Sequence, residues 1–200
     1  MLRVGYPADS YAAEMLNACI SDVCQAALPK IIYKKLSLEN LKDLLIGEDI
    51  KKHLQGCSQC FIMAATLGIG IDKLLLRTAA EDTERLLLTD IITNTAIEAF
   101  CDKAQNELAE NALDNEGLFL TSRYSPGYGD FPLSASSQIL RISDAGKRIG
   151  LTITANHLLT PKKSITAVIG ISPVKAPVHD CKNCAIKDTC VYSKSKGEER

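Results

Sequence analysis

Residues 123 to 132 combine several features suited to holding a small polar ligand. The segment reads RYSPGYGDFP and contains a cation, two phenol rings, two glycines and two prolines. Glycine lets backbone N–H and C=O groups approach a ligand closely, Pro126 stiffens the loop, and Arg123 offers a planar fork that suits a carboxylate. The segment predicts a loop that wraps a ligand, although the same residue types also make ordinary surface turns.

The order of residues in this loop resembles a binding signature of a known family. An arginine is followed two positions later by a small residue, then directly by Pro-Gly-Tyr, and then by a proline four positions beyond the tyrosine. The matching positions are Arg123, Ser125, Pro126, Gly127, Tyr128 and Pro132. This order resembles the S-adenosylmethionine-binding signature of the reactivation domain of cobalamin-dependent methionine synthase. Two other segments, 98–100 and 151–164, resemble further parts of that domain.

The resemblance implies a ligand and a set of contacts. The residues expected to bind S-adenosylmethionine are Arg123, Ser125, Pro126, Gly127, Tyr128 and Gly129. Arg123 would meet the carboxylate of the ligand, and backbone groups near Ser125 and Gly127 would meet its polar edges. The ring of Tyr128 would pack on the ligand beside the sulfonium, where a cation–π attraction is available.

The resemblance also implies a role in repairing a corrinoid protein. Cob(II)alamin on a partner would take one electron, and the cob(I)alamin so formed would attack the methyl group of S-adenosylmethionine. The chain would then be an accessory component of methionine biosynthesis. Its partners would be a cobalamin-binding methionine synthase or another corrinoid protein, and an electron donor such as flavodoxin or ferredoxin. No side chain is required to act as an acid or a base, because the role of the chain would be to position the sulfonium methyl group.

Cysteines near the C-terminus form a second candidate site. Cys181, Cys184 and Cys190 make a C-x2-C-x5-C pattern, and a tight C-x2-C turn can place two thiolates on one zinc ion or cluster iron. Candidates for a fourth ligand are His179, Cys57 or Cys60, and an external group. The alternative is an unliganded tail.

The same residues leave two further functions open. An iron–sulfur or zinc site in the tail would make the chain a redox or metal-binding module. The same fold could also be an adaptor that docks on a corrinoid methyltransferase without transferring methyl itself.

The elements around the loop predict an α+β fold. Periodic apolar residues indicate helices at 10–28, 38–46, 48–54 and 134–142, and a long helix from about Asp82 to Leu113 that begins at a Thr78–Glu81 capping box. Apolar runs indicate a central buried strand at 57–66, a half-buried strand at 164–172, and short strands at 118–122 and 151–154. Helices followed by mixed strands and helices favour α+β. The resemblance implies a curved single domain with a central, mainly antiparallel sheet and flanking helices.

Composition limits the function classes. The chain has 23 basic and 24 acidic residues and a net charge of −1, which does not favour a nucleic-acid or anionic-membrane binder. The hydrophobic fraction of 46% is enough for a core. No apolar stretch is long enough for a membrane span or fits a signal peptide, so a cytoplasmic location with reduced cysteines is expected. We expect one domain at 1–173 and a cysteine-containing tail at 174–200.

Overall fold

The fold is built around a four-stranded antiparallel sheet with strand order β1-β2-β6-β3. A computed structural model describes residues 10–113 and 117–174. The helices are α1 (Ser10–Ala26), α2 (Glu48–His53), α3 (Ile69–Glu81), α4 (Thr83–Leu113), α5 (Ala135–Ser143) and α6 (Ala145–Ile149). The strands are β1 (Lys30–Ser37), β2 (Gln59–Thr66), β3 (Phe119–Leu120), β4 (Thr152–Ile153), β5 (Leu159–Thr160) and β6 (Ser164–Ser172). Strands β4 and β5 form a separate hairpin.

Helices cover both faces of the sheet. On one face, Met63 and Ile169 pack with buried side chains of α1, α3 and α4. On the other, Ile62 and Val168 pack with α2, with α5 and with Phe131 from the candidate binding loop. The predicted central strand is therefore confirmed as β2. The prediction that 164–172 is half-buried is wrong, because layers on both faces bury β6.

Strand β1 and helix α3 were not predicted from the sequence, and neither were the shorter elements α6 and β5. Strand β1 occupies Lys30–Ser37, and the helix predicted at 38–46 is only a 3₁₀ turn over Leu38–Leu41. Helix α3 occupies Ile69–Glu81 and packs between α1 and α4. Lysines interrupt the apolar pattern of β1, and α3 follows the apolar run of β2 after only two residues. For these reasons, the local sequence patterns did not indicate β1 or α3.

The long helix begins as predicted, but its capping residue is different. Thr78 lies buried inside α3 and its hydroxyl donates to the carbonyl oxygen of Leu74 at 3.1 Å, so the predicted capping box is wrong. Asp82 has an extended backbone between the two helices, and its Oδ1 accepts the N–H of Glu84 at 2.8 Å. Asp82 is therefore the residue that caps α4.

Replacing this cap should loosen the start of α4. We expect Asp82→Ala to lower the free energy of unfolding by about 1 kcal/mol, because an N–H of the first turn loses its acceptor. Urea denaturation followed by circular dichroism measures the change. Asp82→Asn keeps a side-chain acceptor and should remain close to the wild type. Equal losses in both variants would assign the effect to charge and not to capping.

The sheet and α4 together position the candidate binding loop. After β3, the backbone of Tyr124 pairs with Val168 of β6 through two hydrogen bonds of 2.9 and 3.0 Å. This bridge fixes the start of the loop against the sheet, where Arg123 reaches α4. Within the described ranges, the helices lack the combination of length and apolar character that crossing a bilayer requires.

Candidate functional site

A cleft of about 530 Å³ lies between α4 and the loop that follows β3. Helix α4 contributes Glu98, Asp102, Gln105 and Asn106 to its wall. Steps of four and three residues bring these side chains to one face of the helix. The loop contributes Ser122, Arg123, Tyr124, Ser125 and Tyr128, and Ile165 of β6 completes the lining.

Arg123 connects the two walls of the cleft. Its Nη2 donates to Oε2 of Glu98 at 2.9 Å and to Oδ1 of Asp102 at 2.8 Å. Its Nη1 donates to Oε1 of Gln105 at 3.4 Å. Charge-assisted hydrogen bonds of this kind orient a guanidinium more firmly than neutral ones. The side chain of Arg123 is only 17% exposed, so it forms the base of the cleft and not its rim.

The far end of the loop is anchored on α2. The carboxylate of Asp130 accepts the backbone N–H groups of Glu48 at 2.6 Å and Asp49 at 3.0 Å. In return, the carboxylate of Asp49 accepts the backbone N–H of Asp130 at 3.3 Å. The hydrogen bonds that the Glu48 and Asp49 N–H groups donate hold the pKa of the Asp130 carboxyl below its usual range. The loop therefore depends on a helix about 80 residues earlier in the chain.

Aromatic rings fill the space between these anchors. The ring of Tyr124 lies 4.8 Å from that of His53 and 6.2 Å from that of Phe131, measured between centroids. Nε2 of His53 also lies 3.0 Å from the carbonyl oxygen of Ser122. Tyr128 stands 6.3 Å from Tyr124 and is 65% exposed at the mouth of the cleft. Tyr124 thus supports the loop from behind, and the Tyr128 ring is accessible to a ligand.

The predicted binding residues occupy different places in this arrangement. Arg123, Ser125 and Tyr128 line the cleft. Pro126, within the loop, is buried. Gly127 and Gly129 have positive φ angles of 96° and 52° and form the turn that returns the chain toward Phe131.

The prediction of site residues missed the acidic face of α4 and the anchor on α2. Asp102 and Gln105 were not singled out, although their spacing from Glu98 gives them a common face on a helix that the sequence did predict. The contacts of Asp49 with the loop have no signal in the sequence, because they join segments far apart in the chain.

The cysteine site stays a prediction. Cys181, Cys184, Cys190 and His179 lie outside the described residues. Burial raises the pKa of the Cys57 thiol, and burial raises the pKa of the Cys60 thiol to about 12. Within 10–113 and 117–174, the structure brings together no group of three or more histidine, cysteine or acidic side chains that could hold a metal ion.

Comparison with known proteins shows a similarity at the level of the fold. No protein-family model matches the chain, and no curated protein matches it in sequence. Among solved structures, it is similar to the MetH reactivation domain bound to AdoHcy, with a TM-score of 0.62 and 14% sequence identity. The match covers 87% of this chain and 70% of that chain.

The chain shares the fold of the MetH reactivation domain. The prediction of an α+β fold with a central antiparallel sheet, flanking helices and one long helix is thereby confirmed. At 14% identity, the likeness to the MetH reactivation domain establishes architecture alone.

The anchor on α2 predicts a pH dependence of stability. Because the pKa of Asp130 is lowered in the folded state, its contribution is present at neutral pH and is lost as pH falls through that lowered pKa. We expect Asp130→Asn to melt at a lower temperature than the wild type at pH 7. The gap should close below about pH 4, where the wild-type carboxyl is increasingly protonated.

Thermal denaturation from pH 7 to pH 3 measures this gap. Asp43→Asn is a suitable control, because it removes an exposed carboxylate and Asp43 has no part in the anchor. A gap between Asp130→Asn and the wild type that stays constant with pH would contradict the anchor.

Proposed function

We propose that the chain binds S-adenosylmethionine in the cleft between α4 and the loop at 123–132. The observation that carries the proposal is that Arg123, Ser125 and Tyr128 of the binding signature line this cleft. The related solved structure is supporting evidence, since that domain is bound to AdoHcy, the ligand that remains when S-adenosylmethionine has lost its methyl group.

The size and chemistry of the cleft support this ligand. A volume of about 530 Å³ suits a metabolite of this size. The three hydrogen bonds from Arg123 to α4 use three of its five N–H groups, which leaves donors for the ligand carboxylate. The exposed Tyr128 ring offers a face to the adenosine or to the sulfonium, and the turn at Pro126, Gly127 and Gly129 shapes the backbone around it.

The function that follows is reductive methylation of cob(II)alamin on a partner corrinoid protein, such as a methionine synthase that lacks this domain. A donor such as flavodoxin or ferredoxin supplies one electron to the corrinoid substrate, and S-adenosylmethionine supplies the methyl group. The residues of this chain hold the sulfonium methyl at the mouth of the cleft and exclude water from it. In this proposal, the chain and its corrinoid partner are both located in the cytoplasm.

Two measurements test the proposal in sequence. Isothermal titration calorimetry of the purified chain with S-adenosylmethionine tests binding. An anaerobic assay with a cobalamin-loaded partner, a reductant and methyl-labelled S-adenosylmethionine tests transfer of the label to the corrinoid. Binding followed by transfer supports the whole proposal. Binding without transfer points to an adaptor, and absence of binding contradicts the site itself.

A further inference from the structure

The cleft carries more negative than positive charge. Two carboxylates, Glu98 and Asp102, and one guanidinium, Arg123, are the charged groups among the described residues that line it. The other described lining residues are neutral, so the formal charge of the wall is −1. Charged groups around a cleft with low-dielectric walls favour ligands of the opposite sign.

The negative groups are also the more accessible ones. The side chains of Glu98 and Asp102 are 60% and 67% exposed, whereas that of Arg123 is 17% exposed. The hydrogen bonds to Arg123 engage one oxygen of each carboxylate, and a carboxylate can accept about four hydrogen bonds in all. A ligand in the cleft therefore meets free carboxylate oxygens.

The geometry also holds these carboxylates in place. Glu98 and Asp102 are one turn apart on α4, and a single nitrogen of Arg123 contacts both at 2.9 and 2.8 Å. Two carboxylates that share one cation are oriented before any ligand arrives. A fixed negative group acts more strongly on a bound cation than one that must first be ordered.

We infer that Asp102, with Glu98, makes this site selective for the sulfonium form of its ligand, so that S-adenosylmethionine binds more tightly than S-adenosylhomocysteine. The inference rests on the proposed function. S-adenosylmethionine carries a carboxylate, an ammonium and a sulfonium, with a net charge of +1. S-adenosylhomocysteine lacks the sulfonium charge and is neutral overall. The surplus negative charge of the cleft distinguishes the two.

This selectivity couples methyl transfer to product release. When a nucleophile takes the methyl carbon, the electrons of the S–CH₃ bond stay on sulfur, and the sulfonium becomes a neutral thioether. The attraction between the ligand and Asp102 falls at that step. The product is then held less firmly than the substrate, and the site is cleared for the next S-adenosylmethionine.

The test compares ligands and variants by calorimetry on the full chain at low and at physiological salt. The ligands are S-adenosylmethionine, S-adenosylhomocysteine and sinefungin, which has a protonated amine in place of the methylsulfonium. We expect the wild type to bind the two cationic ligands about tenfold more tightly than S-adenosylhomocysteine, with a smaller ratio at higher salt. Sinefungin separates the effect of charge from that of the methyl group.

Asp102→Asn removes the charge and keeps an oxygen that can accept from Arg123. It should reduce the preference for the cationic ligands to roughly threefold or less, because it weakens S-adenosylmethionine and sinefungin more than S-adenosylhomocysteine. Glu110→Gln is the matched control, because Glu110 is an exposed carboxylate farther along α4 that does not line the cleft. It should leave all three affinities unchanged.

The possible failures have different meanings. Equal binding of S-adenosylmethionine and S-adenosylhomocysteine by the wild type would overturn the inference and leave the proposed function standing. An Asp102→Asn variant that weakens all three ligands equally would also overturn it, because Asp102 would then serve a group common to them. Failure of all three ligands to bind the wild type would overturn the proposed function and the inference together.

Discussion

Replacing Arg123 by alanine will weaken the binding of S-adenosylmethionine by roughly 10- to 100-fold, the range expected for losing charge-assisted hydrogen bonds to a carboxylate. Two losses combine in this variant. The ligand carboxylate loses its cation, and the carboxylates of Glu98 and Asp102 lose the guanidinium that orients them. Because both acids are largely exposed, water can solvate them, and we expect the variant to stay folded.

Calorimetry with both S-adenosylmethionine and S-adenosylhomocysteine measures this effect. Arg123→Ala should weaken both ligands, since both carry the same carboxylate. Arg123→Lys keeps the charge but not the planar fork, so its affinity should lie between those of the wild type and the alanine variant. Unchanged binding in Arg123→Ala, with a melting temperature close to that of the wild type, would rule out Arg123 as a ligand contact.

The second large effect is expected from Gly129→Ala, which should disturb the packing of the loop against α2. The backbone of Gly129 has a φ of +52°, and a Cβ there would collide with Oδ2 of Asp49 and lie 2.9 Å from the hydroxyl oxygen of Tyr124. Either the Asp49 side chain must turn away or the loop must shift, and both movements disturb the hydrogen bond that the N–H of Asp130 donates to Asp49. We expect a loss of about 1–3 kcal/mol in the free energy of unfolding and a loss of binding of about tenfold or more.

Gly150→Ala separates this collision from backbone strain. Gly150 has a φ of +72°, and a Cβ there would meet nothing within 4 Å. Its cost should therefore be that of a left-handed alanine alone, about 1 kcal/mol, with ligand binding unchanged. Chemical denaturation and calorimetry on the two variants give the comparison. If Gly129→Ala binds S-adenosylmethionine as the wild type does, the position of the loop on α2 is not required for binding.

Together, these experiments test whether ligand binding requires the loop to be held at both ends. Arg123 fastens the beginning of the loop to α4, and Asp130 fastens its end to α2. Changes at the two ends should differ in their signatures. The Arg123 variants should alter affinity with little loss of stability, whereas Gly129→Ala should alter both.

Local patterns in the sequence were sufficient for several elements. The apolar run ending at Thr66 and the segment Ser164–Ser172 have the length and composition of strands, and the amphipathic spacing after Asp82 continues over many turns. Such patterns depend only on neighbouring residues. The same is true of the signature from Arg123 to Pro132, whose members are at most nine positions apart in the chain.

Only the tertiary structure decided the rest. Strand β1 is defined by its pairing with β2, from Lys30 opposite Thr66 to Ser37 opposite Gln59, and its own lysines give a weak strand pattern. The burial of both faces of β6 depends on which helices pack there. The charge of the cleft arises because Arg123 meets Asp102, 21 residues away, and the loop is anchored on α2, about 80 residues away. The sequence determined the local elements and the binding signature, whereas contacts between distant segments determined how the loop is held and which charges surround it, because no local pattern encodes them.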